Sequence, residues 1–516
     1  MIFTRSERPD GPSLFQFIRT RLDETGRLED SGVALPDERH EPGELHWAPG
    51  ALDGAFGHHA SGGSGGAHGA AAAGAIVKLC AGPSRRRRAK VYSLLTEGSV
   101  LDFLDPMIDE LVARGPDVAR LHEVGRWLAT ESQDREPVKV GLALLGLTGI
   151  GDDVGVVRAL GAHEEFTLYA AVALGNGLED PESELWALAT AVDGWGRIQC
   201  VERLHGTADP AIRSWILREG FRNSVMYEYL AWIAATTGGL AEALSEADPD
   251  RQLLTAAGEI LEALISGGPA QDIDDYDEAV DAVTSYLGHM RSRAGTMGDY
   301  HAIAAIQGYL AREGDWAEAS QRGWTADTRT TLEDACTELL ARPVWDELIT
   351  VGLMSEDDAE FWRAQQAARM KGIDTFDLMT ERIARDPLGG PWFQAWKQAD
   401  VDRAEILVGL TRTLLPLDEI ATGPRNETGI GPEWRPHMAL DWTLQELRDF
   451  PGVGADLITV GLQSPAIRNR NMALNILKSW PAEHWPPAAR EVAASLARHD
   501  PAQQTRDFAR EVLGES

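Results

Sequence analysis

The densest polar and aromatic stretch of the chain runs from Trp195 to Tyr229. It mixes Trp195, Arg197, Glu202, Arg203, Arg222, Asn223, Tyr227, Glu228 and Tyr229 with apolar residues. These types suit recognition: Trp and Tyr supply contact area, and Arg and Asn supply orienting hydrogen bonds, as at interface hot spots. If Arg197 and Arg203 meet Asn223, Tyr227 and Glu228, the set forms a groove for a peptide or a small ligand. The alternative is local salt bridging, with Trp195 as packing. A second constellation, Arg85, Arg86, Arg87 and Arg88 followed by Lys90, is the one dense basic run and the best candidate for holding an anion. Its expected partner is an acidic protein surface first and nucleic acid second.

Other motifs fail on spacing. Gly149-Ile150-Gly151-Asp152-Asp153-Val154-Gly155 approaches a dinucleotide fingerprint, but its third glycine is one place late and no strand precedes it, so it reads as a turn between helices. Asp272 to Glu278 holds five acids in seven positions. An EF-hand loop wants an oxygen ligand at position 5, Gly at 6 and Glu at 12, where this chain has Tyr276, Asp277 and Val283. An acidic helix start, favoured by the helix dipole, accounts better for the run. His58, His59 and His68 have no Cys or carboxylate converging on them. No metal and no cofactor is therefore expected. No serine nucleophile elbow, P-loop or His-Glu-x-x-His occurs, which points away from an enzyme.

The elements that carry these residues repeat. Between Val138 and Leu244 the chain says nearly the same thing three or four times in units of about 30 residues. First-helix ends align as Leu145-Gly146, Leu174-Gly175 and His205-Gly206, and the turns after them as Asp152-Asp153, Asp180-Pro181 and Asp209-Pro210. Apolar residues return every three or four positions on both sides of each turn, as in Val138, Leu142, Leu145 and then Val156, Val157, Leu160. Asp180 and Asp209 suit N-caps, and Pro181 and Pro210 suit the first helical position, where a missing N–H costs nothing. A fourth unit begins with Met226, Leu230 and Ile233. The pattern predicts an all-α chain.

Helix pairs of this length, with Leu-Gly before the corner and Asp-Pro at it, resemble HEAT-type repeats in their short form. The resemblance implies an α-solenoid whose successive units form one continuous face. The segments Gly194-Trp195-Gly196-Arg197-Ile198 and Arg218-Glu219-Gly220-Phe221-Arg222-Asn223-Ser224-Val225-Met226-Tyr227-Glu228-Tyr229 are also similar to uncharacterised bacterial chains that sometimes carry the label limonene hydroxylase. That label implies an oxygenase. A haem-thiolate centre needs a cysteine in a glycine- and arginine-bearing loop, and Cys80, Cys200 and Cys336 have none. Cys200, inside a repeat helix, reads as a small packing residue.

Length and charge bound the rest. A chain of 516 residues exceeds one compact core, and the repeats favour an extended array. The net charge is −33; residues 1–100 hold 12 basic and 12 acidic side chains, leaving 36 basic against 69 acidic beyond them. An array this acidic repels phosphate backbones, so nucleic acid is disfavoured and a protein or peptide partner, a basic one by charge, is expected. No apolar run approaches the ~20 residues of a membrane span and no signal peptide is visible, so no membrane association and a cytoplasmic location are expected. Three widely separated cysteines make no disulfide framework.

The expected organisation is an irregular segment over 1–90, with a flexible Gly/Ala/His loop at 58–74 and the basic run at 85–90. A HEAT-like array follows over 91–290, then a Trp-rich helical region over 291–416, a loop over 417–436 and C-terminal HEAT-like helices over 437–516. Leu14, Phe15, Phe17, Ile18 and Leu22 suggest one early amphipathic helix, and Pro36 to Gly50 reads as unstructured. The first functional expectation is a non-enzymatic scaffold or adaptor binding a protein or peptide along one face. A small-molecule-binding protein or enzyme with a pocket near 195–229 is the second, and a helical-repeat nucleic-acid binder the third.

Overall fold

The computed structural model describes residues 11–38, 48–54, 65–314 and 316–515. His58 and His59 lie outside them. Every regular element among the described residues is a helix; two isolated bridges, Leu22 with Leu28 and Glu427 with Ala466, are the only extended pairings there. The chain divides into two compact units, one reaching Leu348 and the other beginning at Ile349, so the division falls inside the Trp-rich stretch. In that stretch Trp324, Trp345, Trp392 and Trp396 are core residues.

In the first unit, helix Arg135–Thr148 packs on Val118–Glu131 before it and on Glu164–Gly177 after it. Glu164–Gly177 packs in turn on Gly194–Glu202, then Glu228–Thr236, Arg251–Ser266 and Met297–Leu310 follow in the same manner. The intervening helices form a second set, Val154–Gly161 touching Glu182–Ala191 and Leu240–Leu244 touching Ala279–Arg293. In the first set, successive helices begin at Arg135, Glu164 and Gly194, steps of 29 and 30 residues. The close spacing of first helices depends on small residues: a Cβ on Gly141 would lie 2.5 Å from the Ala129 nitrogen, and one on Gly146 would lie 2.7 Å from the Ala173 Cα. Asp209 caps its helix as expected, accepting from the Ala211 and Ile212 amides, with Pro210 in the first turn. The stretch from Gly149 to Asp153 is a turn containing a 3-10 turn at Gly151–Asp153, and Val154 and Gly155 open the next helix.

Several expectations are corrected. The predicted loop at 58–74 is helical from Gly66 onward, within helix Gly66–Ala81. Its alanines are strong helix formers, and Gly69 lets the helix meet its neighbour, since a Cβ there would sit 2.8 Å from the Phe103 carbonyl oxygen. His68 Nε2 lies 2.9 Å from the Leu94 carbonyl oxygen and its ring edge meets Phe103. The basic run is the first turn of helix Arg85–Leu95 rather than part of an irregular segment. Pro36–Glu38 and Pro49–Gly54, read as unstructured or undefined, are pinned to the array. The predicted early helix is short, Leu14–Arg19, capped by Ser13. Leu417–Ile420 is helical within the predicted 417–436 loop. The acids at 272–278 form a capping box at Asp272 and Asp275, while Asp274 pairs with Arg312 at 2.9 Å and accepts from Tyr309 at 2.7 Å.

In the second unit, helices Arg435–Leu447, Ile467–Ser479 and Gln503–Leu513 pack in succession, and Ala455–Leu462 touches Ala489–His499. The helix starting at Ile467 therefore stacks on Arg435–Leu447. Arg470 is fully buried, and each of its five N–H donors is used. Two go to Asp500 at 2.7 and 3.0 Å, and the others to the carbonyls of Ser464, Pro465 and Arg425. Removing one partner of a buried pair strands a charge. Arg470→Met should therefore lower the unfolding free energy of residues 349–516 by about 3–5 kcal/mol. Arg470→Met with Asp500→Leu should recover most of that loss, as measured by chemical denaturation.

Candidate functional site: a strap across the helix starts

Three helices that pack one on the next begin at Arg135, Glu164 and Gly194, and each leaves first-turn amides without intrahelical acceptors. The chain's own N-terminal region supplies acceptors. The Ser31 carbonyl accepts from the Glu164 amide at 2.9 Å, and the Asp37 carboxylate accepts from the Arg135 amide at 2.9 Å and from its guanidinium at 3.1 and 3.2 Å. Val33 presents its carbonyl oxygen 2.7 Å from His163 Nε2, and the Ser31 hydroxyl donates to Glu164 at 2.8 Å. Further along, the Gly50 amide donates to Glu165 at 3.3 Å, and Gly54 lies flat on Trp195, where a Cβ would approach the indole to 2.5 Å. Gly50 has φ +72°, and a Cβ there would fall 2.6 Å from the Glu164 carbonyl oxygen, so the approach requires glycine. Residues 30–38 and 48–54 thus strap three consecutive helix starts.

Beneath the strap sits Lys139, 3% exposed. Its ammonium meets Asp53 and Glu165 at 2.8 Å each and Glu136 at 3.3 Å, and lies 5.4 Å from the Tyr169 ring centre. Burial works to lower the lysine's pKa, but Glu165, Glu136 and Asp53 outweigh it and hold the ammonium well above its usual value. Burial likewise opposes ionisation of Glu165, yet Lys139 and Arg135 bring it below the usual range. Asp53 and Glu136 are raised by burial. A lysine locked as a cation is no nucleophile, and the Tyr169 phenol, raised by burial and by Asp53, holds its proton. The chemistry available is recognition of carboxylates and carbonyls. No residue of this cluster was picked out from the sequence. The available signal was Lys139 itself, a charge inside the apolar run Val138–Leu145.

The residues that were picked out are divided. Trp195 and Tyr229 meet edge to face at 5.0 Å, and Tyr227 stands against Phe221 at 5.5 Å. Arg197 donates to the carbonyls of Val192 and Arg222 at 3.0 and 2.8 Å, closing the end of one helix and tying it to the next unit. Arg222 pairs with Glu259 at 2.7 Å, and Arg203 folds back onto Gln199 at 2.7 Å on the exposed surface. Asn223 is buried and accepts from the Val225 and Met226 amides at 2.9 and 2.8 Å, which fixes the loop before Glu228. Glu228 is half-buried beside Gly268. Arg197, Arg222 and Asn223 therefore shape the loop, and what it presents outward is Val225 and Met226, 39% and 37% exposed.

The basic run has mixed roles. Arg87 donates to the Lys78 and Gly82 carbonyls at 2.9 and 2.6 Å, and Arg88 stacks 5.1 Å over Trp127. A cleft bordered by Leu79, Cys80, Arg88, Arg120, Glu123 and Trp127 encloses about 30 Å³, room for a water or two. Cys80, Cys200 and Cys336 are buried free thiols; burial pushes Cys200 and Cys336 up to about 12. In the second unit, Ser464 lies 3.1 Å from His437 Nδ1, but its hydroxyl is fully buried and donates to Asn469 at 2.8 Å, so it offers no free nucleophile. Among the described residues no group of three His, Cys, Asp or Glu is arranged to hold a metal, and no helix is long and apolar enough to cross a membrane.

No protein-family model matches the chain, and no curated protein matches it. Among solved structures, the crystal structure of an engineered protein from a structural genomics programme is 15% identical, covering 86% of this chain and 98% of that one, with a TM-score of 0.22.

The strap contact titrates near neutrality. Burial raises Glu164 to about 7, reinforced by Asp193 and Asp30 and opposed by the Ser31 hydrogen bond and Arg197. A carboxyl raised in the docked state stabilises that state fully below its ordinary value of 4.5 and loses the contribution as pH rises through about 7. His163 is held below its ordinary value by burial, so it opposes docking only as pH falls below 6.5. Amide exchange at residues 31–33, corrected for the intrinsic rate, should accelerate as pH rises to about 7 and level off above it, and Glu164→Gln should remove that dependence above pH 6.5, where His163 no longer contributes.

Proposed function

We propose that the chain is a HEAT-like α-solenoid acting as a non-enzymatic adaptor, binding a segment of a partner protein along the row of first-helix starts. The observation that carries this reading is the strap: the row already holds one segment of irregular, turn-containing chain, the protein's own, through backbone amides and charged side chains at two consecutive helix starts. Repeat arrays present such rows periodically, so one mode of contact can be used again at each unit. The strap's described residues end at Gly54 on Trp195, and the next feature along the row is the loop carrying Val225 and Met226. Exposed apolar side chains beside a half-buried Glu228 and a Trp–Tyr pair suit an interface anchor. A pocket for a small molecule has no comparable support, since Arg197 and Arg222 spend donors on the chain's own groups.

Affinity purification of the full chain at low and moderate salt should recover a protein in stoichiometric amount. Val225→Asp with Met226→Asp should weaken that capture by about tenfold or more while leaving thermal stability unchanged, because both side chains are exposed. Unchanged capture by the variant would place the interface elsewhere. Absence of any partner, together with turnover of a small molecule that Glu228→Gln abolishes, would overturn the adaptor reading.

A further inference from the structure

We propose that residues 30–38 are an internal competitor, and that the ligand they stand in for is an acidic peptide able to take up the same turns. The inference rests on the adaptor reading above and names the chemistry of the segment bound. The strap brings Asp37, Glu38 and Asp53 to helices whose own contribution at this place is Arg135 and Lys139 with Glu136 and Glu165. Arg135 thereby receives Asp37 and Glu38 from residues 30–38, and Lys139 receives Asp53 from residues 48–54. Arg135 is bound by Asp37 through both its amide and its guanidinium, a bidentate match that a neutral side chain cannot supply. The positive ends of helices Arg135–Thr148 and Glu164–Gly177 favour the same sign. A basic peptide, the partner that net charge alone suggests, would meet Arg135 and Lys139 here as like charges.

The strap is held by polar contacts rather than by burial. Of residues 31–38, Leu35 alone is buried, and the others are half-buried or exposed. Segments with few buried apolar contacts open at the low end of a protein's stability range, so this one can leave without unfolding the helices beneath it. Its advantage over a partner is its tether, which sets a high effective concentration. A competitor therefore binds well only when its own contacts are better or when the strap is weakened.

The experiment uses the full chain and a fluorescein-labelled synthetic peptide copying Leu28 to Glu38, read by fluorescence anisotropy. Asp37→Asn weakens the chain's own strap, so the peptide should bind that variant about tenfold tighter than the wild-type chain. Adding Arg135→Gln should remove the binding, and a peptide carrying the same Asp37→Asn change should bind neither chain. Equal affinity for wild type and Asp37→Asn, or no binding to an Asp37→Asn chain whose circular dichroism matches wild type, overturns the proposal. Should that variant fold poorly, the wild-type chain with saturating peptide gives the same answer: amide exchange at residues 31–38 should quicken, and unchanged exchange overturns the proposal. A chain that exchanges its strap for the peptide yet captures no cellular protein supports this inference and counts against the adaptor. A captured partner that leaves strap exchange unaltered does the reverse.

Discussion

The buried ammonium of Lys139 constrains everything around it. An isolated charge in a helical interior costs several kcal/mol in lost hydration, and only close, well-placed opposite charges offset that. Glu136 and Glu165 come from the same helix and the next one, so two of the three carboxylates are part of the stacked repeats. The third, Asp53, comes from outside the repeats. The strap therefore completes an electrostatic arrangement that the helices leave unfinished, and the position of residues 48–54 follows from it. Gly50 and Gly54 allow the chain to pass close enough over the Glu164 backbone and Trp195 for Asp53 to reach.

Charge at this place runs against the charge of the whole. The chain carries −33, and its far field attracts cations. At the helix starts Arg135, Lys139 and two helix dipoles favour acceptors and carboxylates, beside the helices' own Glu136, Glu164 and Glu165. Specific recognition by an array of one net sign depends on such local reversals, because contacts within a few ångströms are screened less than the field at a Debye length. The Arg85–Arg88 run is a different case. Its side chains lie at a helix N-terminus, where the dipole disfavours them, and Arg87 and Arg88 are engaged with the helix end before them and with Trp127.

The parts of the fold legible in the sequence are those fixed by neighbours along the chain. Leu142 and Leu145, Asp209 with Pro210, and the turn starting at Gly149 each depend on spacings of a few residues, and the structure has helices, cap and turn where those spacings place them. The site was not legible, because its pairs are distant: Ser31 to Glu164 spans 133 positions, and Asp37 to Arg135 spans 98. A polar segment without periodicity gives no sign that a helix start elsewhere will accept it. The Gly66–Ala81 helix was misread for a related reason, since Gly69 looks like a helix breaker until the approach of Phe103 explains it. Of the residues the sequence marks as candidates, Arg197 and Asn223 serve the loop's own hydrogen bonds, and Trp195 lies under Gly54.

The most direct test is a double-mutant cycle on Asp53 and Lys139, using Asp53→Asn, Lys139→Met and the pair, with the local stability of helix Arg135–Thr148 read by amide exchange under mild denaturant. If the strap completes the lysine's neutralisation, the two changes should couple favourably by about 0.5–3 kcal/mol, as contacting groups do. Additive effects, with no coupling beyond error, would contradict the account.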